Sequence, residues 1–146
     1  MKILIIGQAL PKVQQAVPYD TTMLYGWLQG IGISKEAAQE LFDFDAMCPF
    51  FPGAENGGHK KPSQEDMRQH FKSVLSGKIR AYSKVILLGN VPKEFFQDNA
   101  SEIDALNPRL AILKLIHPSK RNWSLYQQNK ELIHSRLKAF IELDIN

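Results

Sequence analysis

The chain opens on an unbroken apolar run, Lys2-Ile3-Leu4-Ile5-Ile6, closed by Gly7. A run without polar alternation suits a strand buried on both faces, and its place at the start predicts the central strand of a sheet. Two further runs read the same way: Lys84-Val85-Ile86-Leu87-Leu88-Gly89, and Ala111 to Ile116, which ends at His117-Pro118. Phe42 to Met47 alternates weakly and predicts one more strand, running into a loop dense in Pro and Gly from Cys48 to Gly58. Between the strands the apolar spacing turns helical. Asp20-Thr21-Thr22 offers N-cap residues before Met23 to Leu28, and Ser34 precedes the helix formers Lys35 to Leu41. Ser63-Gln64-Glu65-Asp66 has the spacing of a capping box, and Met67, Phe71, Val74 and Leu75 continue at helical period, so a helix is predicted from about Gln64 to Ala81. Pro92 to Phe96 begins a short helix, and a last one is expected near Ser124 to Leu143.

Strands alternating with helices predict an α/β fold: three layers, α/β/α, around a central four-stranded parallel sheet. The 146 residues, 44% of them hydrophobic, suffice for one core and are few for two, so residues 1–146 are read as a single domain. No apolar run approaches the roughly 20 residues that cross a bilayer, and the opening run is too short for a signal-peptide core, which predicts a cytoplasmic protein. Cys48 is the only cysteine, so no internal disulfide, structural zinc or iron–sulfur cluster is expected, and no cofactor is assigned. The net charge of +3 is uneven. Residues 59–84 carry seven Lys/Arg against two Asp/Glu, a basic segment that could face a polyanion or form a solvated helix face.

In a sheet of this kind ligands bind beyond the carboxyl ends of the strands. The loops to inspect are therefore Gly7 to Tyr19, Asp45 to Lys61, Gly89 to Lys93 and His117 to Trp123. These loops carry a family resemblance. Ile5-Ile6-Gly7-Gln8-Ala9-Leu10-Pro11 resembles the first motif of the uracil-DNA glycosylase superfamily, most like branches reading Gly-Glu-Ala-Pro-Gly there. Pro18-Tyr19 resembles their Pro-Phe step. Asp45 to Gly53 followed by Lys61-Pro62-Ser63-Gln64-Glu65 is similar to their Asn-leading strand, Pro-Pro-Gly loop and Pro-Thr-x-Glu helix start. Val85 to Gly89 matches their third strand, and His117-Pro118-Ser119 their second signature motif. The likeness runs in order over roughly residues 2 to 122.

The resemblance implies a glycosylase-like protein of base excision repair, which flips a damaged or modified base out of DNA and hydrolyses its N-glycosidic bond. Tyr19 would stack on the extruded base. His117 would donate a hydrogen bond to the base oxygen that gains charge as the bond breaks, a role worth ~3–4 kcal/mol in a dry pocket. Ser119, with Lys120 and Arg121, would grip flanking phosphates, and Arg121 or Asn122 would enter the space left by the flipped base. The partner implied is DNA, and the protein is expected to act as a monomer. Plainer readings stand beside these: Tyr19 as a core or rim aromatic, His117 capping a turn, Asp45 facing solvent or capping a helix.

Three positions depart from the family pattern. Gln8 stands where the related branches have an acidic Glu, and Ala9 where others carry a water-activating Asp or Asn. An amide can orient water or bond a base edge but cannot act as a general base. Asp45 replaces the Asn that reads uracil. An ionised Asp accepts only and would repel the uracil O4, so either a protonated Asp45 or an ionised one facing an exocyclic amine better fits a base with an amino group. A non-catalytic nucleic-acid or nucleotide-binding protein on the same fold is the competing reading. The cluster-holding cysteines of the similar branches have no counterpart here.

Overall fold

The computed structural model describes residues 2–9, 22–55, 58–119 and 122–143. The apolar runs become four parallel strands, β1 (Ile3–Ala9), β2 (Phe42–Cys48), β5 (Lys84–Leu88) and β6 (Ala111–Leu115), in the order β2-β1-β5-β6. Between β2 and β5 lies a small antiparallel hairpin, β3 (Ala54–Glu55) with β4 (Gly58–His59), inside the segment expected to be loop. The helices are α1 (Thr22–Gly30), α2 (Lys35–Leu41), α3 (Gln64–His70), α4 (Ser76–Ala81), α5 (Asn90–Asp98), α6 (Ala100–Leu106) and α7 (Trp123–Glu142). None of them is long and apolar enough to cross a membrane.

Side chains alternate across a strand, and β1 shows why its sequence does not alternate in polarity. Ile3 and Ile5 enter one core with Leu24, Trp27 and Leu28 of α1 and Tyr126, Ile133 and Leu137 of α7. Leu4 and Ile6 enter a second core with Met67, Phe71, Leu75 and Ile79, and with Phe95 and Ile103 from α5 and α6. Both faces are buried, so every position must be apolar. β1 lies between β2 and β5, the central place its sequence predicts.

The helix predicted from Gln64 to Ala81 forms, with one departure. Phe71–Leu75 is a π-turn between α3 and α4. Met67, Phe71, Leu75 and Ile79 repeat every four residues, and a regular α-helix would rotate successive members of that series by about 40°. The wider i→i+5 turn cancels part of the drift and keeps all four in one core. Val74, expected in the core from its spacing, is instead 37% exposed. The helix expected at Pro92 to Phe96 is longer, and α6 was not foreseen. Asn99, at φ −114° and ψ 25°, interrupts the helical path between them, and α6 buries only Ile103, too little apolar signal to mark a helix.

The capping signals are realised in their expected places. Ser34 accepts from the Ala37 N–H and Ser63 from the Asp66 N–H, each at 3.1 Å. The expected caps Asp20 and Thr21 lie outside the described residues. Loss of an N-cap hydroxyl costs about 0.5–2 kcal/mol, so Ser63→Ala is expected to lower the unfolding free energy by about 1 kcal/mol in urea titration, with an unchanged slope.

Candidate functional site

Parallel strands bring their carboxyl ends to one edge of the sheet, and the loops there position the candidate residues. Gln8 continues the alternation of Leu4 and Ile6 and lies on the α3–α6 side of β1, its Nε2 3.5 Å from the Lys60 carbonyl. His117 stands two residues beyond β6. The Ser119 N–H and the Asn122 side-chain amide both donate to the His117 carbonyl at 2.9 Å, closing the turn that leads into α7. Gly89, at the end of β5, has φ +87°, and a Cβ built there would sit 3.2 Å from the His117 Cβ. Its N–H donates to the Leu115 carbonyl. Glycine thus permits both the backbone path and the close seat of the histidine. Tyr19, Lys120 and Arg121 lie outside the described residues.

Asp45 occupies a different environment, on the helix-covered face of β2 and only 8% exposed. One carboxylate oxygen accepts from the Ala46 N–H at 2.7 Å and faces His70 Nε2 at 3.1 Å; the other accepts from Lys78 Nζ at 2.5 Å. Burial, the largest influence, pushes the Asp45 pKa up, but the hydrogen bonds from His70, Lys78 and Ala46 together outweigh it and hold the carboxyl below its usual 3.8. The ionised alternative of the two weighed from sequence is therefore the one this environment favours. An acceptor-only carboxylate requires the proton of that contact to sit on His70 Nε2. Neighbouring Asp43 is held low chiefly by the Tyr82 hydroxyl, against the effect of burial, with further help from Lys2. The Tyr82 hydroxyl is in turn pushed up to about 12, by burial and then by Asp43.

His70 and Lys78 carry no motif and were not singled out from sequence. Eight residues along an α-helix turn ~80° past two full turns, which would put them on different faces. The π-turn between them removes much of that offset, so both reach one carboxylate. The same region answers the question of the basic segment. Lys61 pairs with Glu94, Arg68 with Glu102 and Asn99, Lys78 with Asp45, and Lys84 bonds the Ile141 carbonyl. Four of its seven cations thus face partners within the fold.

On the opposite side of the sheet a cavity of about 720 Å³ opens between α1 and α7. Trp27 and Tyr126 stack in its wall with centroids 5.2 Å apart and planes at 19°, and Trp123 leans on Tyr126 at 5.7 Å. Gln8, Asp45 and His117 do not line it, but Pro118 and Ser119, the next two residues after His117, do.

A family model described as the Uracil DNA glycosylase superfamily matches residues 1–140. No curated protein matches the chain.

Two outcomes test this geometry. The Asp45 pKa is lower folded than unfolded, so its stabilising contribution is full above the unfolded value near ~3.9 and lost as pH falls through the folded value. Asp45→Asn is expected to lower stability by about 1–3 kcal/mol at neutral pH, where it weakens the bond to the Lys78 ammonium, and to flatten the loss of stability below about pH 4. An acid limb as steep as that of the parent would contradict the network. Gly89→Ala forces a methyl into a glycine-only conformation and is expected to cost about 1–3 kcal/mol in denaturant titrations.

Proposed function

Because this chain belongs to the uracil-DNA glycosylase superfamily, we propose that it hydrolyses the N-glycosidic bond of a damaged or modified base extruded from DNA. The observation that carries this reading is a family match over residues 1–140 in a chain whose first and second signature segments, around Gln8 and His117, follow β1 and β6, two strands flanking β5, at the same edge of a parallel sheet. The extruded base stacks on Tyr19, an interaction worth on the order of 1–3 kcal/mol. His117 donates to the base oxygen as the bond to the sugar lengthens and negative charge collects on the leaving base. Gln8 orients a water toward the sugar C1′. The water oxygen bonds C1′, its released proton passes to solvent, and the base departs with the bonding electrons.

With no general base among these groups, bond breaking runs ahead of water attack. Among the described residues Asp45 Oδ2 accepts from Lys78 alone and keeps acceptor capacity, so an ionised Asp45 suits a base bearing an exocyclic amine better than uracil. Ser119, Lys120 and Arg121 hold the flanking phosphates, and Asn122 braces the turn that presents His117.

A second reading, a protein that binds nucleic acid or a nucleotide without cleaving it, draws support from the same residue. Three internal donors already engage Asp45, and Gln8 lacks the basicity of an acid at that position. Oligonucleotides carrying uracil, hypoxanthine, xanthine or alkylated bases, incubated with the protein and then treated with alkali, separate the two. Strand cleavage at an amino-bearing or alkylated base, with His117→Ala slower by at least a hundredfold and Lys120→Ala by no more than tenfold, is the outcome expected of the glycosylase. Salt-dependent DNA binding without cleavage on any lesion would favour the binding protein.

A further inference from the structure

We propose that the cleft between α1 and α7 is a second nucleobase site, which takes an unstacked base of the same DNA strand that presents its neighbour to His117. The inference rests on the proposed function only for DNA being the ligand. The cleft is wedge-shaped. The two helices meet where Gly30 lies against His134, so closely that a Cβ on Gly30 would fall 2.5 Å from the His134 ring. Toward the amino ends they part, because the cleft is lined by Met23, Gly26 and Trp27 from α1 and by Trp123, Tyr126 and Lys130 from α7. α7 is also bent within this stretch. Asn129 leaves helical geometry at φ −118° and ψ 16°, while its side-chain amide donates to the Leu125 carbonyl.

What the cleft offers is suited to a base. Its volume of about 720 Å³ falls among those of small-molecule sites, roughly 300–1,000 Å³. Trp123, at 52% exposed, stands at the mouth and offers an entering base a stacking face, backed by the buried Tyr126 and Trp27, which stack on each other. Gly26 sits mid-helix, where glycine is among the least favourable residues, yet nothing lies within 4 Å of a Cβ built there. The room that a side chain would fill belongs to the cleft. Lys130 and the amino ends of both helices add positive potential around the opening, favourable to a phosphate. Ser119 joins the cleft to the turn carrying His117, so a strand crossing the sheet edge meets both.

The chain has two tryptophans and both line this cleft, so intrinsic fluorescence reports on it directly. Titration with thymidine 5′-monophosphate and with single-stranded pentathymidylate is expected to quench that fluorescence, the strand binding at least tenfold tighter. Gly26→Leu should abolish the quenching with an unchanged or raised Tm, since leucine is the better helix former. Trp123→Ala, at a half-exposed position, should weaken pentathymidylate binding at least tenfold by calorimetry, and Lys72→Ala, on the other side of the sheet, should leave it unchanged. Absence of quenching, persistence of binding in Gly26→Leu, or mononucleotide binding with no gain on the strand would overturn the assignment. The two proposals fail separately. Quenching without cleavage of any lesion keeps the cleft and removes the catalytic reading; cleavage at full rate by Gly26→Leu, without quenching in the parent, does the reverse.

Discussion

β1 is covered by helices on both faces, with Leu4, Ile5 and Ile6 at 0% exposure, and a buried backbone must find its hydrogen bonds in neighbouring strands. β2 and β5 supply them on either side, both parallel to it. Parallel neighbours require crossover connections, and the helices in those crossovers are what cover the two faces. The same arrangement sends every strand-to-helix loop of the main sheet to one edge. Burial of a single strand thereby dictates where the loops lie: Gln8, Gly89 and His117 fall at one edge of the sheet because each ends or follows a strand of the same polarity.

The face of the sheet beneath α3 and α4 solves a harder problem, that of a carboxylate in a nearly dry setting. Asp45 escapes the usual outcome of burial, a raised pKa, because three donors converge on it. Two of those donors come from one helix, at positions that a regular helix would not align. The π-turn that keeps Met67, Phe71, Leu75 and Ile79 in the core is the same feature that brings His70 and Lys78 together. Packing and electrostatics are therefore satisfied by one backbone irregularity, a kind often found at functional sites.

The two sides of the sheet differ in character. Toward α3–α6 lie the polar groups, with Gln8 at the strand end and Asp45 within its network. Toward α1 and α7 lies a cleft beside the Trp27–Tyr126 stack, between helices that approach closely at Gly30 and His134. The turn from His117 to Asn122, closed on the His117 carbonyl, is the bridge between them.

The sequence by itself determined the strands, their central member, the alternation with helices and the two serine caps, because these depend on local periodicity and on hydrogen bonds spanning three residues. It also carried the family, since motifs at strand ends are contiguous in the chain. Tertiary structure alone decided the ionisation of Asp45, the exposure of Val74, the internal pairing of the basic segment and the existence of the cleft. Each of these depends on the angular phase of a helix or the separation of two helices. A single π-turn or a close contact at one glycine resets those quantities, and hydrophobic spacing along the chain carries no trace of either.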